Sequence, residues 1–318
     1  MFPKADELTT PWRWKKAGNE PLSEWLISVR REIENGNALA LSVCPSCVTN
    51  VTVPTEERLK QNAIATACLA ALKGAINQER IVVLSAAAVE KTRAALAKRL
   101  ASWGFSNIEP INCKALTCAA STIDQSSGIE RFKALLDFAR ECMTKTEKSE
   151  LEKAIESHRS GGRRGKTKFQ TLLPLADHVI KTGSADSMTK FLEMLSERGK
   201  CHTYRREMLY TMYSALRITD SNRGLSLVDA VADVQIRLRH IGRRFGKCSV
   251  GSTLLIKGLE FDHSVICHDE KMSCKDWYVA LTRATRTVRI LAPSTPKIPA
   301  AQAKTQGSPA QESFVFPI

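Results

Sequence analysis

Apolar, strand-like segments occur in two groups separated by a long stretch of helical periodicity, and that spacing limits the folds open to the chain. The first group, 38–43, 48–53, 80–85 and 107–112, alternates with helical patterns at 22–33, 56–76 and 89–103. In the first of these helices, Trp25, Leu26, Val29 and Ile33 share one face. The second group, 248–256, 264–268 and 287–291, is interrupted by a helical segment at 274–284. Strands separated by helical patterns of a dozen or more residues predict an α/β layer with a mostly parallel sheet. The intervening chain gives helical periods at 129–143, 149–158, 172–181, 187–197, 205–216 and 225–241. The expectation is one α/β domain built from residues 1–118 and 246–292, interrupted by a helical insertion at 119–245. From Pro293 the composition turns to Pro, Ala, Gln, Ser and Lys, which predicts a disordered tail over 293–318. Its last residues, SFVFPI, offer docking as an added strand as the alternative.

Charge narrows the partner. The 318 residues carry 47 Lys and Arg against 33 Asp and Glu, a formal charge of +14, at an ordinary 43% hydrophobic content. Such a chain buries a core, and its excess charge selects a polyanion or serves solubility. The longest apolar runs, 63–72 and 81–89, fall short of the roughly 20 residues that a bilayer span requires. The N-terminal residues hold no apolar secretory core, so the ten cysteines are expected as reduced thiols in a cytoplasmic protein. Cys44 and Cys47 form one CxxC without a second pair or a paired His, so no metal site is expected there.

Two segments near the C-terminus carry the most specific signal. Residues 251–266, GSTLLIKGLEFDHSVI, set a Lys-Gly-Leu-Glu-Phe-Asp turn between apolar strands. Residues 275–291, KDWYVALTRATRTVRIL, set Ala-Leu-Thr-Arg-Ala on a helix leading into a strand. They resemble motifs V and VI of the UvrD-like superfamily-one DNA helicases, and residues 8–26, LTTPWRWKKAGNEPLSEWL, look like the motif IV region with Pro-Trp-Arg for Asn-Tyr-Arg. The resemblance implies a RecA-like (P-loop NTPase-type) second helicase domain with a helical insertion. In that family ATP lies between two RecA-like domains, and arginines of the second reach its γ-phosphate, where a guanidinium stabilises charge developing in phosphoryl transfer. Arg283 matches the motif VI arginine and Arg13 the motif IV arginine; a helix-surface salt bridge and stacking on Trp12 and Trp14 are the alternatives. Gly258 and Glu260 match the turn that approaches the nucleotide, the Glu facing the ribose, against the alternative of a solvated loop. The family's His three residues before the motif V Lys is Leu254 here, which weakens the case for DNA contact at that motif.

A complete motor also needs a strand followed by G-x-x-x-x-G-K-[ST] and an acidic strand end for Mg²⁺. The nearest string, SGGRRGKT at 160–167, has Ser at the first Gly position and follows a polar helical run. Its Arg163, Arg164 and Lys166, with Arg159 and Lys168, suit a loop that tracks a nucleic-acid backbone. Arg237, Arg239, Arg243, Arg244 and Lys247 form a second basic run, read either as a DNA contact or as a solvated helix face. Removing residues 159–168 and 237–247 leaves 37 basic against 33 acidic residues, so these segments hold most of the excess charge. The chain is therefore expected to be the C-terminal portion of an ATP-dependent helicase, inactive by itself. ATP and Mg²⁺ would bind only with an N-terminal motor half, missing or supplied in trans, and single-stranded or partly duplex DNA would be the partner. The competing expectation is a helicase-derived module that binds nucleic acid or scaffolds without catalysis.

Overall fold

A computed structural model describes residues 11–76, 78–85, 90–161, 168–222, 224–241 and 245–300. The fold is α/β with mostly parallel strand pairing, and the chain divides into two compact units, residues 1–88 with 251–318 and residues 89–250.

In the first unit four parallel strands lie in the order Val48–Thr52, Ala284–Ala292, Phe261–Cys267, Ile81–Ser85. Ile81, Val82, Val83 and Leu84 are at most 1% exposed, as expected of a parallel strand covered on both faces. The outer strand Val48–Thr52 buries only Val48, which explains its polar Thr49, Asn50 and Thr52. Helix Glu57–Gly74 turns Ile64, Ala67, Cys68 and Ala71 inward, and helix Cys274–Leu281 does so with Trp277, Tyr278, Ala280 and Leu281. Helix Glu20–Glu34 starts where the Asn19 side chain accepts the Leu22 N–H at 3.4 Å, with Pro21 in its first turn. Its buried stripe is Leu22, Leu26, Val29 and Ile33. Trp25, expected on that stripe, is half-buried and donates its indole N–H to the Val43 carbonyl at 3.2 Å. Leu39–Ala40 pairs antiparallel with Lys297–Ile298, and Ile298 is fully buried. Order thus extends into the segment expected as tail, because an apolar residue there finds a strand partner. Residues 301–318, including SFVFPI, lie outside the described residues.

Below the strand starts, His263 links Thr287 (Nδ1 to Oγ1, 2.8 Å) to Glu79 (Nε2 to Oε2, 2.9 Å), and Glu79 also accepts the Ile76 N–H and pairs with Arg286 at 2.8 Å. The Ile76 N–H first, then His263, holds the Glu79 carboxyl below its ordinary value of 4.5. A carboxyl lowered in the folded state adds stability that is complete above its unfolded pKa and is lost as pH falls through the folded one. The melting temperature of the wild type should therefore drop more steeply than that of Glu79→Gln below about pH 4; parallel profiles would show that Glu79 carries no such linkage.

The second unit is a helical block with two small strand pairs. Helices Lys114–Gln125, Gly128–Cys142, Lys148–Arg159, Leu172–Thr182, Ala185–Ser196, Arg206–Ser221 and Leu227–Ile241 enclose one apolar core. At its centre Phe132 and Phe191 meet edge to face, centroids 5.1 Å apart. Phe105–Asn107 pairs in parallel with Cys248–Gly251, and Met143–Thr144 antiparallel with His202–Thr203. The division falls at 88/89 and 250/251, where the composition pointed to 118/119 and 245/246. Within this unit the Asn107 N–H donates to the Tyr204 carbonyl at 2.7 Å and Glu109 binds Arg205, which ties the 105–109 segment to the helical block. No helix among the described residues is long and apolar enough to cross a membrane.

Candidate functional site

A segment near the start of the sequence, 12–19, meets two neighbouring segments, 251–260 and 276–283, in the first unit. The short helix Trp12–Lys16 is fixed to the start of strand Ala284–Ala292 by the Trp14 indole, which donates to the Ala284 carbonyl at 2.9 Å. The Asn19 amide donates to the Thr285 and Arg286 carbonyls at 3.0 and 2.8 Å. This seats Arg13 beside the end of helix Cys274–Leu281, where its Nη1 donates to the Thr282 carbonyl at 3.0 Å. Its Nε pairs with Glu260 Oε1 at 2.7 Å, and its guanidinium carbon lies 5.4 Å from the Trp14 ring centroid. The stacking alternative and the site geometry therefore coexist at Arg13.

Arg283 is only 5% exposed, so it is no helix-surface ion pair. Its guanidinium donates to the Val279 and Leu259 carbonyls, each at 3.2 Å, and to Thr282 Oγ1 at 3.0 Å. Among the described residues no carboxylate pairs with it. Burial, reinforced by the charge of Arg13, pushes its pKa down to about 10, which leaves it protonated at neutral pH. Of these two guanidinium groups only Arg13 has a carboxylate partner, the half-exposed Glu260. The local charge imbalance suits an arriving anion.

Gly258 opens the turn beneath them with φ of +84°, and a Cβ built there meets nothing within 4 Å. Only glycine adopts this backbone without strain, and the open space leaves the backbone approachable. Gly258→Ala should cost about 1–2 kcal/mol from backbone strain alone; an unchanged denaturation midpoint would mean the turn relaxes freely. The same segment is tied to the following helix by Thr253 Oγ1, which donates to Asp276 Oδ1 at 2.7 Å. Asp276 also closes the capping box with Ser273. Burial works against the Asp276 charge, but the bonds from Ser273 and Thr253 outweigh it and hold the carboxyl below its ordinary range. Leu254 is 79% exposed.

Sequence reasoning named Trp14 only as a stacking partner of Arg13, not as an anchor to the Ala284 carbonyl, and missed Asn19, Thr253 and Thr282. Of these, only Asn19 was detectable, as a cap residue directly ahead of Glu-Pro.

Comparison of the sequence with protein-family models and with curated proteins returned no match.

The expected DNA-contacting residues belong to the second unit. Arg163, Arg164 and Lys166, with most of the SGGRRGKT string, lie outside the described residues, as do Arg243 and Arg244. Of their neighbours, Arg159 pairs with Asp177 at 3.7 Å, and Lys168 pairs with Glu147 and Glu150 at 3.0 and 2.6 Å. These two cations are already matched by carboxylates. Arg237 and Arg239 are exposed on helix Leu227–Ile241, and Arg239 is bonded to the Asn112 side-chain oxygen.

Cys44 and Cys47 are half-buried thiols whose pKa is raised chiefly by burial. Elsewhere Glu90, Glu109 and Cys113 converge closely enough to suit a cation. The guanidinium of Arg205 already meets all three: it holds both Glu109 oxygens at 2.7 Å, bonds Glu90, and lies 3.7 Å from the Cys113 sulfur.

Proposed function

We propose that the chain is the second, RecA-like motor domain of a UvrD-like ATP-dependent DNA helicase, with its helical insertion. The observation that carries this is the meeting of the 12–19, 251–260 and 276–283 segments, with Arg13 and Glu260 2.7 Å apart and Arg283 bonded to the Leu259 carbonyl. Those are the segments that resemble motifs IV, V and VI. Nothing in the resemblance was chosen for proximity, so their convergence supports it.

In this reading Arg283 and Arg13 face the terminal phosphates of ATP and stabilise charge as the phosphoryl group transfers. Glu260 orients Arg13 and accepts from the ribose, while Gly258 lets the backbone approach. The N-terminal half brings the Walker loop and the ligands for Mg²⁺. Arg237 and Arg239, together with Arg163, Arg164 and Lys166, contact DNA phosphates.

A second reading also has an observation behind it. Arg283 spends its hydrogen bonds on oxygens of the protein itself, as a structural latch in a non-catalytic nucleic-acid-binding module would. Both readings require binding to single-stranded DNA. Affinity should fall with salt, and Arg237→Ala with Arg239→Ala should lower the slope of log affinity against log salt by about 1 for each phosphate no longer neutralised. An unchanged slope would return those arginines to a solvated helix face.

A further inference from the structure

We infer that the second unit carries a groove that accepts unstacked bases of single-stranded DNA, centred on Tyr210. This rests on the DNA-binding reading above and deepens it. A cavity of about 340 Å³ is walled by Ile111, Leu116, Met208, Tyr210, Val234 and Leu238. A second cavity of about 210 Å³ has Ser106, Arg206 and Ser249 in its wall, and Tyr210 and Glu207 line both. Tyr210, 60% exposed, therefore stands where the two adjoin.

The walls contain unpaired groups that a base edge would satisfy. Gln235 lines the larger cavity at 9% exposure, and its Nε2 has no hydrogen-bond partner. Asn107 lines the smaller cavity at 1% exposure with its Oδ1 unpartnered. A buried donor or acceptor left unpaired costs about 1–3 kcal/mol, so each such group calls for an explanation. By contrast the two acidic wall residues are engaged. Glu109 holds Arg205, and Glu207 Oε2 accepts the Glu109 N–H at 2.8 Å.

The rim is basic. At 100° per residue, Arg237 and Arg239 fall on opposite sides of the Val234, Leu238 and Ile241 stripe that faces the larger cavity. Arg239 is bonded to Asn112, next to the wall residue Ile111. An exposed aromatic platform, apolar walls with one free donor and one free acceptor, and cations on either side match a strand whose bases stack while its phosphates stay outside. A peptide with acidic flanks would also use the apolar walls and the rim, but it has less use for an aromatic platform flanked by both a free donor and a free acceptor.

The test is fluorescence anisotropy with a labelled oligothymidylate and an abasic strand of the same length, using the full chain, Tyr210→Ala, Tyr210→Trp and Gln235→Leu. Tyr210→Ala should weaken oligothymidylate binding about tenfold, while Tyr210→Trp retains it. The abasic strand should bind the wild type as weakly and be indifferent to Tyr210→Ala. Gln235→Leu should weaken binding without lowering the melting temperature, since it replaces an unsatisfied buried amide with an apolar side chain. Equal binding of both strands, with Tyr210→Ala without effect, would overturn the groove while leaving phosphate binding intact. No DNA binding at all would overturn both. An acidic apolar peptide that displaces DNA and depends on Tyr210 would assign the groove to a protein partner instead.

Discussion

Arg205→Ala lowers the unfolding free energy of the 89–250 unit by about 3–5 kcal/mol, because removing one member of a buried ion cluster strands the other charges. Arg205 and Glu109 are 7% and 3% exposed at their side chains, and the two are joined by a bidentate pair at 2.7 Å. Burial alone would depress the guanidinium, but the bonds and charge of Glu109 outweigh it and raise the pKa of Arg205 above its ordinary value. Cys113, beside them, is pushed up to about 12 by burial and then by the Glu109 charge, so it stays a neutral thiol. Replacing Arg205 and Glu109 together with apolar residues of similar volume should cost far less than either single change. Denaturant titration of the single and double variants checks this. Equal midpoints for Arg205→Ala and wild type would show that water replaces the guanidinium at little cost.

The second large effect is kinetic. On the proposed helicase reading, with an N-terminal motor half added, Arg283→Ala should lower ATP turnover by about 10³-fold or more, the range in which arginine fingers act. Stability responds differently, since the alanine loses inward bonds to Val279, Leu259 and Thr282 together with a buried charge whose carboxylate partner is absent among the described residues. Loss of turnover in a variant that melts within a few degrees of wild type would therefore report chemistry rather than collapse. Arg283→Lys keeps the charge without the planar fork and should rescue stability better than turnover.

Much of the fold was legible from local pattern. The run 81–85 is apolar at each of its first four positions because the strand is covered on both faces, and the helical block showed itself through stripes such as Phe132, Leu135, Leu136 and Ala139. Helix Lys114–Gln125 was missed: its buried face is only Leu116, Ala120 and Ile123, and it straddles the boundary that composition placed at 118. The strand expected over 107–112 runs instead over Phe105–Asn107, where the buried Asn107 amide donates to Glu109 and Glu109 in turn holds Arg205, polar pairings that a hydropathy pattern cannot foresee. At the candidate site, Arg13, Gly258, Glu260 and Arg283 were singled out by motif resemblance. Their mutual geometry was not, since the Arg13 to Glu260 pair joins residues from opposite ends of the chain. Trp14 and Thr282 act through backbone carbonyls and single hydroxyls, for which spacing offers no signal.

The central claim, that the Arg13, Gly258, Glu260 and Arg283 cluster is one face of a divided ATP site, is tested most directly by ATP hydrolysis in the presence of single-stranded DNA. It is measured on the purified chain and on its mixture with a UvrD-like N-terminal motor half. The account predicts no turnover by the chain alone and DNA-stimulated turnover on mixing that Arg283→Ala abolishes. Turnover by the chain alone, or mixed turnover indifferent to Arg283→Ala, would contradict it.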